Sequence, residues 1–313
     1  MSTLPFLKAY QIEDKAENHR WLIQDLWIDG GVGIIGGQPK SYKSFMALDM
    51  AVAVSSGRPC LRRYPVKTPG RVLLFAAEDS LSTVKERLHG ICNAAGCELK
   101  DLDLFVITAA VLKIDIREHR LALTETVKEL RPKLLILDPF IRMHNKDENN
   151  SGDMSSLLDY LRALNRVCHT SVALVHHANK RTCARPGQTL RGSSEFHAWG
   201  DSNLYLKRDQ QNSLVLTVEH RSESSKDGIK LELFKENDIL ALRQIQTDKN
   251  NVDDNEDGIT KIKTILSSTK TPLSLEEIRN AVHLRRNVVC DLVRILTKSG
   301  VVIKSPNGYH LDS

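Results

Sequence analysis

Val32-Gly33-Ile34-Ile35-Gly36-Gly37-Gln38-Pro39-Lys40-Ser41-Tyr42-Lys43-Ser44 runs from an apolar stretch through a glycine-containing turn into a segment, Lys43 to Ser56, whose apolar residues recur at helical spacing. A buried strand that turns directly into a helix aims the free N–H groups of the turn and of the helix start at one point, where they can hold phosphate oxygens. The spacing from Gly37 to Lys43-Ser44 fits such a phosphate loop. Residues Gly37, Gln38, Pro39, Lys40, Ser41, Tyr42, Lys43 and Ser44 would surround ATP, with Lys43 on the β and γ phosphates and the Ser44 hydroxyl on Mg²⁺. Tyr42 departs from the pattern, because it stands where a second glycine is usual. The competing reading is an ordinary turn with an incidental Lys-Ser pair.

Working outward, short apolar runs recur at Arg71 to Ala76, Leu104 to Thr108, Lys133 to Leu137, Ser171 to Val175 and Leu204 to Leu206. Between them Ser80 to Ala95, Ala122 to Leu130 and Met154 to Val167 carry helical spacing. The alternation predicts an α/β architecture with a mostly parallel, buried sheet. Leu214 to Glu219 and Ile229 to Phe234 read as a late antiparallel hairpin closing it. Two of the strands end in acid. Asp138 can hold the Mg²⁺ shell through water, or merely cap a strand before a turn. Glu78 can orient and deprotonate an attacking water, while Asp79 can cap the helix that follows; both readings hold together. Three such strand ends on one sheet edge make ATP hydrolysis the leading expectation.

With 313 residues, 41% of them apolar, the chain can bury one full core and carry a small second module. No apolar run is long enough to span a membrane and the start lacks a signal-like pattern, so a cytoplasmic protein is expected. The six cysteines, at 60, 92, 97, 168, 183 and 290, lie at no disulfide-framework or zinc-ligand spacing and read as free thiols. The expected division is 1–246 for the ATPase domain, 247–258 for an acidic flexible linker with one apolar residue in twelve, and 259–313 for the small module. Formal charge divides with it: the +5 excess falls entirely in residues 259–313, which hold nine Lys/Arg and four Asp/Glu. A polyanion would be held there, although a solvated basic surface has the same composition.

The last segment reads as helix from Ile259 to Leu266, a second helix capped by Ser274 with Glu277 three residues on, and a third from Arg285 to Leu296. Two short strands then flank Ser305-Pro306-Asn307-Gly308. That order is a winged helix. If its third helix enters a major groove, Arg285, Arg286 and Asn287 would meet bases or phosphates, with Lys304 on the wing. A protein-binding winged helix is the alternative.

Several stretches then become familiar together: Gly36 to Ser44, Ala76-Ala77-Glu78-Asp79, Leu137-Asp138-Pro139-Phe140, Arg142-Met143-His144, Asp147-Glu148-Asn149, Val175-His176-His177 and Arg191-Gly192-Ser193-Ser194. Over roughly residues 15 to 240 the chain resembles the RepA-like branch of RecA-fold P-loop ATPases, which includes hexameric replicative helicases of plasmids. The resemblance implies a RecA-like P-loop NTPase core in front of the winged helix-turn-helix module. It makes Glu78 the catalytic carboxylate and His177 a sensor of the γ-phosphate, unless that histidine only satisfies a turn. It points to Arg221, or second Arg191, as an arginine finger offered to a neighbouring subunit, against a plain hairpin arginine. Such fingers imply a homo-oligomer assembled head to tail, a hexameric ring by analogy. His144 to Met154 is then expected as a polar, flexible loop that touches DNA through Lys146, or as an ordinary surface loop. The expected function is an ATP- and Mg²⁺-dependent DNA helicase or translocase of a plasmid or mobile element, on single-stranded or duplex DNA. The alternative is an ATP-controlled, non-motor DNA-binding switch; a metabolic kinase fits less well, since the C-terminal module has no role in it.

Overall fold

The computed structural model describes residues 6–11, 20–177, 193–209, 212–245, 250–269, 271–282, 289, 292–294, 296–297, 301–305 and 308–311. The chain divides into two compact units, Met1–Ile245 and Gln246–Ser313.

In the first unit, β1 (Trp21–Ile23) and β2 (Trp27–Ile28) form a small antiparallel ribbon. The main sheet follows from β3 (Val32–Gly37), β4 (Val72–Ala76), β5 (Leu104–Val106), β6 (Leu134–Asp138), β7 (Ser171–His177), β8 (Ser202–Arg208), β9 (Leu214–His220), β10 (Lys226–Glu236) and β11 (Ile239–Gln244). Their order is β11-β10-β9-β8-β3-β7-β6-β4-β5. Strands β5 to β8 in that order are parallel, whereas β8, β9, β10 and β11 pair antiparallel. The sheet is thus mixed. The hairpin β9–β10 does not close it, because β11 adds one more strand and forms the edge.

The central strands are apolar throughout because helices cover both faces. Alternate residues divide between the two: Ile35, Leu74, Ile136 and Val175 pack with α1 (Lys43–Ser56) and α2 (Leu81–Ala95), while Ile34, Leu73, Leu135 and Leu174 pack against the opposite layer. That layer is α3 (Arg117–Leu130), α4 (Ser151–Cys168) and α5 (Ser193–Trp199). Helix α1 is buried almost all round from Met46 to Val54, as a helix between sheet and second helix must be. α3 and α4 are amphipathic and bury one stripe, Leu123 and Val127 in the first, Met154, Leu157, Leu158, Leu161 and Leu164 in the second.

The stretch from His144 to Asn150 is a mostly exposed loop, but two of its members turn inward. A 3-10 turn, Phe140–Met143, follows β6, and His144 and Glu148 are buried at 4% and 6% exposure, close to His176 of β7. Lys146 pairs with Asp153 at 3.2 Å. Aromatic packing of Phe140 against His144, His176 and Phe196 pulls the segment inward.

The second unit holds α6 (Asn250–Ser268), α7 (Leu275–Val282) and the antiparallel pair β12 (Val302–Ser305) and β13 (Gly308–Leu311), with helical backbone also at 289, 292–294 and 296–297. Ile262, Leu266, Ile278, Val282, Val289, Leu292, Val293, Leu296 and Val302 make its core. The capping box at Ser274 is formed: Glu277 N–H donates to Ser274 Oγ at 3.3 Å and Ser274 N–H to Glu277 Oε2 at 2.8 Å. The acidic stretch expected as a flexible linker is helical from Asn250 onward. Among the described residues no helix is long and apolar enough to cross a membrane.

Candidate nucleotide site and a distant arginine

The C-terminal ends of β3, β4, β6 and β7 meet at one cavity of about 470 Å³, lined by Lys40, Tyr42, Lys43, Ser44, Phe45, Glu78, Arg87, Asp138, Val175, His177 and Arg208. Gly37 ends β3 and Lys43 begins α1. A Cβ on Gly37 would lie 2.2 Å from the Leu206 carbonyl oxygen of β8 and 2.7 Å from Ser41 Oγ, so the loop's first position admits no side chain. Gln38, Pro39 and Lys40 form the exposed rim and Ser41 turns inward. No side chain caps α1, which leaves its first N–H groups directed at the loop.

Tyr42 adopts φ 62° and ψ 28°, the left-handed conformation that a glycine would take at this position. For an L-residue this costs about 1–2 kcal/mol. The ring returns part of that cost. It packs edge-on to Phe45 at 6.1 Å, and the Arg208 guanidinium lies 5.4 Å from its centroid.

Lys43 lies back across its own turn, Nζ donating to the Gln38 carbonyl at 2.8 Å. Burial lowers its pKa to about 8, with Asp138 and Glu78 pulling it back up. Burial likewise lifts the Asp138 carboxyl to about 6, against the Ser44 hydroxyl bond and the Lys43 charge that favour the anion. A buried carboxylate joined to a serine hydroxyl, with Glu78 and Asp79 adding negative charge beside it, is an oxygen donor set for a hard divalent cation. Ser44 and Asp138 therefore fit Mg²⁺.

Glu78 follows β4 by two residues and lies beside them, and its Oε1 accepts from Arg142 Nε at 2.8 Å. Asp79 does not cap α2. Ser80 does, its hydroxyl accepting from Thr83 N–H, since a serine Oγ at that step reaches the third helical N–H. Asp79 instead holds Arg87 through two bonds of 2.5 and 3.1 Å. His177 closes the wall from β7, in register with Gly37.

Arg221 is not part of this cluster. It follows β9, its N–H bonded to the Asp201 carbonyl, and Asp201 N–H in turn donates to the Val32 carbonyl at the start of β3. Its guanidinium reaches Asp201 Oδ1 at 3.5 Å and the Ala198 carbonyl. Val32 and Gly37 are five residues apart on an extended strand, roughly 17 Å, so Arg221 stands at the opposite end of the sheet from its own phosphate loop. Arg191, Arg285, Arg286 and Asn287 lie outside the described residues; Lys304 is exposed on β12.

Arg87, Arg208, Phe45 and Arg142 were not assigned roles by sequence reasoning. Arg208 alone carried a signal, as a charged residue ending a buried strand; the others come to the site through packing.

The model of the family described as an AAA domain matches residues 2–182, and the chain belongs to that family. Among solved structures it is similar to that of a DnaB-like replicative helicase described with its interactions with primase, at TM-score 0.53 and 16% identity over 68% of this chain and 57% of that one. It is also similar to the RadB recombinase, at TM-score 0.51 and 16% identity over 70% of this chain and 92% of that one. At such identity the likeness is one of fold, and the chain spans little more than half the helicase's length. The first unit has an α/β fold with a mixed central sheet that resembles the RecA-like P-loop core.

Proposed function

We propose that the protein hydrolyses ATP in a head-to-tail homo-oligomer and acts on DNA, as a RepA-like hexameric helicase or translocase. One observation carries the reading: Lys43, Ser44, Asp138, Glu78 and His177 share a cavity, while Arg221 stands at the far end of the same sheet, out of reach of its own phosphate loop, as a finger offered to a neighbouring subunit would. Lys43 and backbone N–H groups of the loop, at positions such as Tyr42, Lys43 and Ser44, hold the phosphates. Ser44 and Asp138 would hold Mg²⁺, which when bound offsets the charge of the phosphate oxygens. Glu78 takes a proton from the attacking water, and His177 donates to the γ-phosphate. Arg221 of a neighbour stabilises the charge that develops as the γ-phosphoryl group transfers.

In the second unit, helices of the length and order of α6 and α7 with the β12–β13 pair fit a winged helix. Arg285, Arg286, Asn287 and Lys304 would then meet DNA, and the basic excess of residues 259–313 supports that partner. An origin on a plasmid or other mobile element rests on the resemblance to RepA-like helicases alone.

The test is the ATPase rate of wild type and Lys43→Ala without nucleic acid, with single-stranded and with duplex DNA, alongside mass by light scattering. A Lys43-dependent rate raised severalfold by single strands, with a ring-sized mass, supports the motor. A slow rate indifferent to DNA, with tight duplex binding, favours an ATP-controlled switch in replication initiation, partition or regulation. Hydrolysis that survives Lys43→Ala overturns both.

A further inference from the structure

We infer that Arg142 is a positioning residue that restrains the Glu78 carboxylate and releases it for catalysis only when the turn carrying it shifts; this rests on the reading of Glu78 as the catalytic carboxylate. A general base must present a free lone pair to the proton it accepts. Here Arg142 Nε donates to Glu78 Oε1 at 2.8 Å, so one oxygen is engaged and the negative charge is partly neutralised.

The strength of the pair suits a restraint. Both side chains are well exposed, 63% for Arg142 and 44% for Glu78. Ion pairs in such surroundings bias an equilibrium by severalfold at most. Glu78 is therefore held back without being locked.

Arg142 also lies off the cavity wall that Arg87 and Arg208 help to line, so its nearest route to the chemistry is through Glu78. Its mount, by contrast, is packed into the core. Phe140 and Met143 on either side are fully buried. The Phe140 ring packs against His144 at 4.8 Å and Phe196 at 5.6 Å, and Phe196 stacks on His176 at 4.3 Å. His176 precedes His177 on β7, and His144 opens the segment that leads into α4. Packed rings thus join the turn bearing Arg142 to the strand bearing His177 and to residues 144–150. A displacement at either place moves the Arg142 stem, and the guanidinium leaves Glu78.

Steady-state ATP hydrolysis without DNA tests this with Arg142→Ala, Arg142→Lys, Glu78→Gln, the double variant and Lys43→Ala. Arg142→Ala is expected to raise kcat about 3–5-fold, the rate equivalent of releasing an exposed pair worth up to about 1 kcal/mol, with KM for ATP unchanged. Arg142→Lys, which keeps the charge without the Nε–H, should fall between, and Arg142→Ala on Glu78→Gln should add nothing. An unchanged or lower kcat in Arg142→Ala, with hydrolysis still dependent on Lys43 and Glu78, overturns the restraint alone. Full activity in Glu78→Gln instead removes the catalytic reading beneath it.

Discussion

Asp138→Asn should make the ligand-free protein more stable while removing its response to nucleotide. The fold lifts this carboxyl from 3.8 to about 6 because it is buried, despite the Ser44 bond and the Lys43 charge. About two pKa units at roughly 1.4 kcal/mol each amount to about 3 kcal/mol by which the folded state disfavours the charged form at pH 7. Asparagine has no charge to bury, and its amide oxygen can still accept from Ser44. Lys43 loses one of its two anionic neighbours, so a gain of about 1–3 kcal/mol at pH 7 is expected. The pH dependence fixes the sign. A carboxyl whose pKa is raised by folding contributes fully below the unfolded value, and that contribution is lost as pH rises through about 6. The advantage of the variant should therefore shrink by about two-thirds between pH 7 and pH 4.5. Lys43, lowered to about 8 by burial, acts in the opposite sense: its contribution is present above 10.5 and lost as pH falls through about 8. Near neutrality the site thus carries both charges at a cost, which a bound polyanion and cation would relieve. Urea unfolding followed by tryptophan fluorescence reads the first unit, since Trp21, Trp27 and Trp199 all belong to it. ATP with Mg²⁺ should raise the wild-type midpoint and leave Asp138→Asn unmoved. A variant less stable than wild type at pH 7, or a gap that does not narrow by pH 4.5, would refute the reasoning.

Tyr42→Gly relieves about 1–2 kcal/mol of left-handed strain but loses ring contacts and chain stiffness of similar size, so its urea midpoint should stay within about 1 kcal/mol of wild type. A loss beyond about 2 kcal/mol would mean that the ring is a structural anchor. Mixing Glu78→Gln with Arg221→Ala, each inactive alone, should restore part of the hydrolysis, because some interfaces then pair an intact carboxylate with an intact arginine; no recovery at any ratio would place Arg221 outside the reaction. Gly90→Ala brings a Cβ to 2.9 Å from both Leu240 Cβ and Leu240 N. The crowding should outweigh alanine's helix preference of about 1 kcal/mol, giving a net loss of about 1–2 kcal/mol on urea unfolding.

The parallel core was legible because strands buried on both faces leave apolar runs that little else explains. Leu134 to Leu137 and Val172 to Val175 are such runs. Gly37, Lys43, Ser44, Glu78 and Asp138 were legible for a related reason, as strand ends and loop positions fixed by short-range spacing. What remained hidden depends on tertiary partners. Nothing local to Arg87 announces that Asp79 and the Phe45 ring receive it, and nothing in the polar string from His144 to Asn150 announces that two of its members turn into the core. β11 was missed because Ile239 to Gln244 is short and half-exposed, an edge strand with one covered side. The start of α6 at Asn250 was missed because a run of polar residues carries no apolar periodicity to mark a helix.

The close approach of α2 to β11 has a consequence for how the protein comes into being. Gly90 meets Leu240, Asn93 donates to the Asp238 carbonyl at 3.0 Å and the Tyr64 hydroxyl to Gln244 Oε1 at 3.0 Å, contacts that close loops of about 150 to 180 residues. Chain closure over such distances gives up entropy before any contact offsets it, so folding is slow. A ribosome that has not yet released residue 240 leaves one face of α2 uncovered. The first unit therefore completes only when its last strand arrives, and a chain truncated ahead of β11 should be recovered with that flank of α2 exposed.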